Sequence, residues 1–392
     1  MSVLLPTYSE EGRDSFRARL GKIEWGLVLV LTLIAGTGAL LLYGAAGGSF
    51  QPWSANHLIR FSIFVVMMVV VATVDVRVWY HLAYPAYGIA VVMLVAVELF
   101  GKVAMGAQRW LELGPIQIQP SEFMKIALAM ALARYYHDGE ARRLDLITPH
   151  LIPLVMIAVP SALIMMQPDL GTALMVVGVG CALVILAGLS WWFVAGAGAL
   201  GIAGAVLGYF FVMHEFQKER ILNFLDPSRD PLGTGYHITQ SKIAIGSGGI
   251  FGVGFMQGSQ SQLDFLPERH TDFILAMLLE EFGMIGGLFV LGLYVAALVY
   301  GVLIARSCRH LFGKYLAGGI TVLLFIYVAI NAGMVVGLLP VVGEALPLLS
   351  HGGSVMMSML FGFGLIQNAW VFRERTLGTG FVTRERRSMR RN

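Results

Sequence analysis

The sequence predicts an all-α, polytopic integral membrane protein with about ten transmembrane helices and a large, partly helical outer loop between spans 7 and 8. Two features of the composition support this fold: 57% of the 392 residues are hydrophobic and only 13% are charged. So few polar residues cannot cover a soluble globule of this size, and lipid must solvate the chain. Apolar runs of the ~20 residues that a spanning helix needs also recur from Trp25 almost to Phe372.

Apolar runs divide the chain into candidate spans and three regions. The spans cover residues 25–43, 58–74, 83–100, 122–136, 149–166, 170–188, 191–213, 282–305, 315–338 and 353–372. The first run is long and lacks a small-residue cleavage site, so we expect it to stay in the protein as the first span. The regions are a cytoplasmic N-terminal segment at 1–24, a transmembrane domain at 25–372 with its outer loop at 214–271, and a basic cytoplasmic tail at 373–392.

The distribution of basic residues predicts the orientation. Lysine and arginine cluster near both ends and in alternate short loops: Arg13, Arg17, Arg19 and Lys22, then Arg77, then Arg142 and Arg143, then Arg306, Arg309 and Lys314, then the tail from Arg373 to Arg391. Because such loops stay on the cytoplasmic side, both termini are predicted to be cytoplasmic. The net charge is +3, and the basic residues cluster beside apolar segments rather than in a patch on a soluble face. We therefore expect no nucleic-acid partner.

The remaining polar stretches then share the opposite face of the membrane. They are residues 101–121, 167–171, 214–271 and 339–352. Cations on that face, among them Lys218, Arg220 and Lys242, oppose the usual charge bias and therefore indicate an anionic ligand. The prolines and glycines between Leu339 and Ser354 forbid a continuous helix, so we expect a re-entrant segment there.

Four acidic residues at the end of the long loop are candidates for chemistry. Asp272 precedes the apolar run 273–279, and its carboxylate would stay ionised in the first turn of a helix. It is either a general base that accepts a proton from a sugar hydroxyl or a plain helix-start acid. Asp264 could share acid and base roles with Asp272 or help to hold a divalent cation. Glu280 and Glu281 lie in an apolar run, where they either face a cavity or anchor the helix.

Four other charged residues are candidates for the site. Arg109 precedes a span, and Glu122 and Lys125 lie three residues apart on one face at its start. These two form an internal ion pair, or Lys125 serves as a point charge for a phosphate. Asp169, in the break QPDLGT between two apolar runs, is either a turn acid or part of a cavity lining.

The motifs of these segments resemble the SEDS family of bacterial shape, elongation, division and sporulation proteins, which includes FtsW, RodA and SpoVE. The specific match is QSKIAIGSGGIFGVGF followed by FLPERHTDF and EEFG, and the arginine before His270 is most similar to the RodA branch. RWLELGPIQIQPSEFMK, QPDLGT and a PxxGxxxPxxSxGGS pattern agree in order across most of the chain. The C-terminal signature departs from the family at Glu344 (usually aliphatic), Ala345 (often proline), His351 (often tyrosine) and Val355 (often serine).

The resemblance implies a peptidoglycan glycosyltransferase of the bacterial inner membrane. Its substrates would be lipid II and undecaprenyl-linked glycan, and its partners a class B penicillin-binding protein and other membrane proteins of the elongation complex. Catalysis would fall to Asp272 and Asp264. The candidate substrate-binding residues are Arg109, Glu122, Lys125, Asp169, Lys242 and His270. No cofactor is certain, and Mg²⁺ or Mn²⁺ is the candidate cation.

Two hypotheses about mechanism follow. In the first, Asp272 deprotonates the 4-hydroxyl of an acceptor lipid II, which attacks the anomeric carbon of the growing chain with inversion to a β-1,4 link. Arg109, Lys125, Lys242 or a divalent cation would neutralise the leaving pyrophosphate. In the second, the chain is a flippase or transporter of a lipid-linked precursor, which also uses many spans, broken helices and intramembrane glutamates. A transporter is expected to open midplane polar sites to both faces, whereas these candidates gather on one.

Overall fold

The computed structural model describes most of the chain. The described residues are 15–104, 107–113, 116–139, 147–167, 169–190, 192–193, 195–196, 198–199, 201, 204, 218, 222, 234–263, 265–266 and 268–377. Asp264 and most of the predicted span 191–213 therefore lie outside the described residues.

Helices make up most of the described chain. In order they are α1 (Phe16–Gly21), α2 (Trp25–Ala45), α3 (Ser54–Thr73), α4 (Val76–Phe100), α5 (Pro120–Asp138), α6 (Leu151–Met166), α7 (Leu170–Leu186), α8 (Thr234–Gly248), α9 (Ser259–Gln262), α10 (Ile274–Ser307), α11 (Leu311–Val335) and α12 (Gly353–Val371), with a 3₁₀ turn at Thr148–His150 before α6. One end of the bundle, which we call the site end, contains the last residues of α2, α4, α6 and α11. It also contains the first residues of α3, α5, α7, α10 and α12.

The predicted fold class is confirmed. Among the described residues, seven helices are long and apolar enough to cross a membrane: α2, α3, α4, α6 with its preceding turn, α10, α11 and α12. Helix α7 is apolar but has only 17 residues. Large apolar side chains such as Val66, Leu99 and Leu288 are more than half exposed on the outside of the bundle, which is the surface that lipid would cover.

Helix α5 lies inside the bundle. Almost every residue from Pro120 to Ala133 is buried, and the helix packs against α4, α7 and α11. Protein rather than lipid therefore surrounds its first turns. A helix in this position can carry charged side chains as long as each of them finds a partner inside the protein.

A small antiparallel sheet, which the sequence analysis did not predict, precedes α5. Strands β1 (Lys102–Ala104), β2 (Ala107–Leu113) and β3 (Ile116–Ile118) follow one another in the sheet. Leu111 pairs with Ile118, and Val103 pairs with Gln108. The sheet closes the site end beside α4 and carries Arg109 on its central strand.

The segment between α11 and α12, residues 336–352, is not helical and returns to the end from which it starts, as the prolines and glycines predicted. Leu348 has a φ of 68°. A Cβ at Gly38 would clash with the backbone of Leu348 and Leu349. Because Gly38 lies seven residues before the end of α2, the segment descends ~10 Å below that end, which supports the predicted re-entrant path.

Helix α10 begins at Ile274, eight residues before the predicted span 282–305, so that it includes most of the apolar run 273–279 in which the sequence predicted a helix start. It bends at Gly283, which has a φ of 66°. Residues 249–262, which we call the docking segment, pair with this bend through backbone hydrogen bonds. Val253 donates to Glu280 (3.0 Å), and Met284 donates to Gly249 (3.0 Å). The long loop thus folds back onto the bundle.

The two glutamates that the sequence placed in an apolar run receive their partners from the docking segment. The carboxylate of Glu280 accepts the backbone N–H groups of Gln260 (2.8 Å) and Ser261 (3.0 Å). Gln262 donates to Glu281 (3.2 Å). The structure therefore favours the anchoring interpretation, since both side chains hold the loop rather than line an open cavity.

Candidate active site

Asp272 lies in a turn just before α10, not in the helix's first turn as predicted. The helix is preceded by Phe273, and the turn is closed by hydrogen bonds from Thr271 and Phe273 to Glu268. The side chain of Asp272 is partly exposed. A Cβ at Gly343 would lie 3.6 Å from its Oδ2, so the carboxylate rests against the backbone of the re-entrant segment. No side chain at position 343 covers it.

A buried ion pair lies deeper in the bundle. Lys125 Nζ is 2.7 Å from Glu122 Oε1, and both side chains have 0% exposure. The Lys125 ammonium also donates to the Tyr327 hydroxyl, which in turn donates to Glu122 Oε2 at 2.6 Å. Ser358 donates to the same oxygen at 3.2 Å. The arrangement matches the internal ion-pair interpretation, because the ammonium is enclosed by protein partners.

A second chain of charged groups runs from the sheet to the re-entrant segment. Arg109 Nε lies 3.5 Å from Asp169 Oδ2. Asp169 caps α7, since its Oδ1 accepts the backbone N–H of Thr172 at 3.2 Å. The Thr172 hydroxyl oxygen is 2.8 Å from Asp169 Oδ2 and also 2.8 Å from Glu344 Oε1. Asp169 is thus a turn acid and also part of a buried polar network.

The geometry at Thr172 requires an additional proton. A hydroxyl carries one proton and can donate only one of its two contacts to carboxylate oxygens. Asp169 pairs with Arg109 and caps the start of α7, whereas Glu344 has no ion-pair partner within 4 Å among the described residues. The second proton therefore lies on Glu344. Glu344 is outside the spanning helices, and burial raises its pKa from 4.5 to about 8, although the positive charge of Lys125 opposes this shift.

Helix α11 joins both groups to Asp272. Its Tyr327 contacts the Glu122–Lys125 pair, and Asn331 follows four residues later on the same face. The Asn331 amide donates to the backbone oxygens of Asp272 (2.9 Å) and Glu344 (3.0 Å). Five of the eight predicted site residues are therefore brought into one assembly around α11: Arg109, Glu122, Lys125, Asp169 and Asp272.

The other three predicted site residues are placed differently. Asp264 lies outside the described residues. Lys242, on α8, is exposed and lies against Gly337 just after the end of α11. His270 stacks on Trp53 with ring centroids 4.4 Å apart. His270 is thus near Asp272 in sequence but faces α3 rather than the buried charges.

The sequence analysis missed several residues of this assembly: Tyr327, Asn331, Thr172 and Ser358. Tyr327 and Asn331 left a signal, since they are polar residues four apart in an otherwise apolar run. Glu344 was noted only as a departure from the family pattern. No group of three or more histidine, cysteine, aspartate or glutamate side chains is placed to hold a metal ion in the described part of the chain, and Mg²⁺ or Mn²⁺ binding stays a prediction.

Comparison with known proteins places this arrangement in a family. Residues 22–375 match the family model of the FtsW, RodA and SpoVE cell cycle proteins. Peptidoglycan glycosyltransferase MrdB of Escherichia coli strain K12 is 43% identical over 352 residues, which are 89% of this chain and 93% of that protein.

Two solved structures share the fold. One comes from work on the structural coordination of polymerization and crosslinking by a peptidoglycan synthase complex: its chain is 31% identical with a TM-score of 0.77, over 90% of this chain and 99% of that one. The other is the rod shape determining protein RodA of Thermus thermophilus, 28% identical with a TM-score of 0.68, over 90% of this chain and 98% of that one. The chain therefore belongs to the FtsW, RodA and SpoVE family, the SEDS family that its motifs resemble.

Proposed function

We propose that this protein is a peptidoglycan glycosyltransferase that polymerises lipid II for cell-wall elongation. The observation that carries the proposal is the position of Asp272. Its carboxylate is partly exposed at the site end and lies against Gly343, and Asn331 ties its backbone to a buried charge network. A base that is reachable from the membrane surface, yet held by a rigid assembly, suits a reaction on a lipid-linked sugar.

We assign to Asp272 the proton transfer of this reaction. Asp272 accepts the proton of the 4-hydroxyl of an acceptor lipid II, and that oxygen forms a bond to the anomeric carbon of the growing chain. The bond from that carbon to the pyrophosphate oxygen breaks, and undecaprenyl pyrophosphate leaves with the electron pair. A single displacement inverts the anomeric centre and gives a β-1,4 link. A divalent cation, Mg²⁺ or Mn²⁺, is a candidate to neutralise the leaving charge.

The orientation that we propose puts the site end outside the cytoplasm. The opposite end carries the basic residues Arg19, Arg77, Arg306, Lys314 and Arg373, which flank helix ends there. By the charge bias of short loops, that end and both termini are cytoplasmic. The solved relative that belongs to a synthase complex supports a cross-linking partner, for which we propose a class B penicillin-binding protein within the elongation complex.

The test uses purified protein reconstituted with lipid II and the partner protein. We expect glycan polymer on a gel from wild type and no polymer from Asp272→Ala or Asp272→Asn. The loss should be ~10²-fold or more, as removal of a general base produces. Asp75→Asn is the matched control, because Asp75 pairs with Arg375 at the opposite end, and it should keep full activity.

The same preparation separates the proposal from the transporter alternative. A flippase would move fluorescent lipid II between leaflets without forming polymer. The described site residues favour the polymerase, since they gather at one end rather than at the midplane. Polymer at the wild-type level from Asp272→Ala would refute Asp272 as the base, and lipid II movement without polymer from wild type would refute the glycosyltransferase.

A further inference from the structure

Glu344 is a buried acid beside the proposed base, and the mechanism above does not use it. Its side chain is 6% exposed. It directly follows Gly343, against which the Asp272 carboxylate rests, and the family usually has an aliphatic residue at its position. A carboxyl group is costly to bury unless protein partners replace the lost water. Packing alone therefore does not explain why an acid lies here.

The segment around Glu344 lies directly on the first turn of α7. A Cβ at Gly171 would clash with Val342 Cγ1 and would lie 3.5 Å from Glu344 Oε1, so no side chain separates the two elements. Gly343 has a φ of 81°, a left-handed conformation that glycine adopts without strain. The segment thus turns at Gly343, and the carboxyl group of the next residue reaches the Thr172 hydroxyl on α7 at 2.8 Å.

The backbone of Glu344 is also tied to the backbone of Asp272. The side-chain amide of Asn331 donates to the carbonyl oxygens of both residues, at 3.0 Å and 2.9 Å. Gly343 provides a second connection, because it is bonded to Glu344 and lies against the carboxylate of Asp272. A shift of Glu344 therefore reaches the proposed base through the amide and through the turn.

The titratable groups that face Glu344 leave its carboxyl group without a cation of its own. They come from three elements: Asp169 at the start of α7, Glu122 and Lys125 on α5, and Tyr327 on α11. The Lys125 ammonium is 2.7 Å from Glu122 and also donates to Tyr327. Arg109 on β2 pairs with Asp169. An ionised Glu344 would therefore add a carboxylate to a site whose two cations are already paired.

The protonated form of Glu344 is the form that holds the segment on α7. Its proton is donated to Thr172 Oγ1, whose own proton goes to Asp169. Without the Glu344 proton, one hydroxyl proton would face two carboxylates, and the hydrogen bond to α7 would be lost. Burial raises the pKa of Glu344 from 4.5 to about 8, although the positive charge of Lys125 opposes this shift. The proton is thus present at pH 7 and is lost as the pH rises through about 8.

We propose that Glu344 is a positioning residue for Asp272. Its protonated carboxyl group fixes the re-entrant segment on α7, and loss of the proton moves Gly343 away from the Asp272 carboxylate and lowers the rate of glycosyl transfer. The role of Asp272 rests on the proposed function, whereas the attachment of the segment does not. An aliphatic residue, which is usual in the family at this position, cannot titrate, so this chain adds a dependence on alkaline pH.

The first measurement is the rate of lipid II polymerisation by the purified full chain with its partner protein, at pH 7 and at pH 9. A group with a pKa of about 8 is only ~10% protonated at pH 9, so the kcat of wild type should fall ~10-fold with little change in KM. Glu344→Gln cannot titrate and keeps a donor for Thr172, so its kcat should be the same at both pH values. Glu24→Gln is the matched control, because Glu24 precedes α2 at the opposite end, and it should keep the fall seen in wild type.

The second measurement needs no turnover. Hydrogen–deuterium exchange of residues 339–352, read by mass spectrometry, reports whether the segment loosens. Comparison of wild type with Glu344→Gln at the same pH cancels the intrinsic effect of pH on exchange. We expect equal exchange at pH 7 and ~10-fold faster exchange in wild type at pH 9, the factor by which ionisation disfavours the attached form. Exchange at the opposite end of the bundle should not differ between the two proteins.

The outcomes of the two measurements separate this proposal from the proposed function. An equal fall of kcat in wild type and Glu344→Gln, or equal exchange of the segment in both at pH 9, would overturn the positioning role. Faster exchange over the whole bundle would also overturn it, since that means general destabilisation. Faster exchange of the segment alone, with no polymer from wild type at either pH, would support the attachment and refute the glycosyltransferase. Glu344→Leu also cannot titrate, and it serves if Glu344→Gln does not purify as a single species.

Discussion

The side-chain amide of Asn331 donates a hydrogen bond to the backbone carbonyl oxygen of Asp272 at 2.9 Å, and the same nitrogen reaches the carbonyl oxygen of Glu344 at 3.0 Å. Both acceptors are carbonyl oxygens, so the orientation of the amide is fixed. Its own oxygen is buried without a partner among the described residues. Asn331 therefore joins the turn that carries the proposed base to the re-entrant segment that lies against it.

Replacement of Asn331 should lower catalysis more than stability. Asn331→Leu removes both hydrogen bonds at nearly constant volume, and a shift of ~1 Å in a catalytic group can cost ~10²-fold in rate. We expect kcat for lipid II polymerisation to fall ~10- to 100-fold, with little change in KM. Asn331 acts here as a positioning residue, and the split between kcat and KM is the readout.

Asn368 provides the control for Asn331. Its buried amide also holds backbone oxygens, those of Val71, Ala72 and Val74, but at the opposite end of the bundle. Asn368→Leu should lower the Tm as much as Asn331→Leu and leave kcat per folded molecule unchanged. Equal losses of kcat in the two variants would mean that Asn331 has only a structural role.

Glu344→Gln should leave the protein folded, because Glu344 is already neutral. The side-chain amide of a glutamine can donate a hydrogen bond to the Thr172 hydroxyl oxygen, as the protonated carboxyl of Glu344 does. Asp169→Asn removes the ion-pair partner of Arg109 and should lower the free energy of unfolding by ~1–3 kcal/mol more than Glu344→Gln does. Thermal unfolding at pH 7 checks the pair, and a Glu344→Gln variant as unstable as Asp169→Asn would contradict the neutral form.

The proton on Glu344 also predicts how stability depends on pH. The pKa of Glu344 is raised from 4.5 to about 8 in the folded chain, so the folded state holds a proton that the unfolded state releases between those values. Its stabilising contribution is complete below pH 4.5 and is lost as the pH rises to about 8. Wild type should therefore lose stability relative to Glu344→Gln across this window, by up to ~1.4 kcal/mol per pH unit.

The seven described helices that are long and apolar enough to cross a membrane could be predicted from the sequence, because lipid imposes a length and a composition on each of them. The errors arose where protein replaces lipid. Glu280 and Glu281 lie in α10 before the predicted span 282–305, and an unpaired carboxylate there would be costly in an apolar run. Their partners, Gln260 and Ser261 among them, are about 20 residues away in the chain, and no local pattern reveals such pairing.

The site could be predicted only in part for the same reason. The motifs identified Arg109, Glu122, Lys125, Asp169 and Asp272 as polar positions, but not how they connect. Their connections run through Tyr327, Asn331, Thr172 and Ser358, which are uncharged and lie on three other helices. An uncharged polar residue in a span costs little enough that its presence alone does not indicate a site.

The bend in α10 provides a test of how the long loop is attached. Gly283 has a φ of 66°, and a Cβ there would clash with the backbone of Ile250 and Gly252 in the docking segment. Gly283→Ala should therefore destabilise the protein by ~2 kcal/mol or more, since it combines strain with overpacking. Gly292→Ala, in the same helix with open space around the Cβ, should be neutral or stabilising. Equal Tm values for the two variants would contradict the docked arrangement.

The Glu122–Lys125 pair can be tested by removing one charge and then both. Lys125→Met alone leaves a buried carboxylate with only Tyr327 and Ser358 as donors, and breaking a fully buried pair costs ~3–5 kcal/mol. Adding Glu122→Gln removes the unpaired charge and should restore most of that stability, because glutamine still accepts from both hydroxyls. Polymerisation by the double variant then separates the two interpretations of Lys125. Activity that returns with the Tm means an internal ion pair, whereas a stable but inactive double variant means that the ammonium itself acts on the substrate.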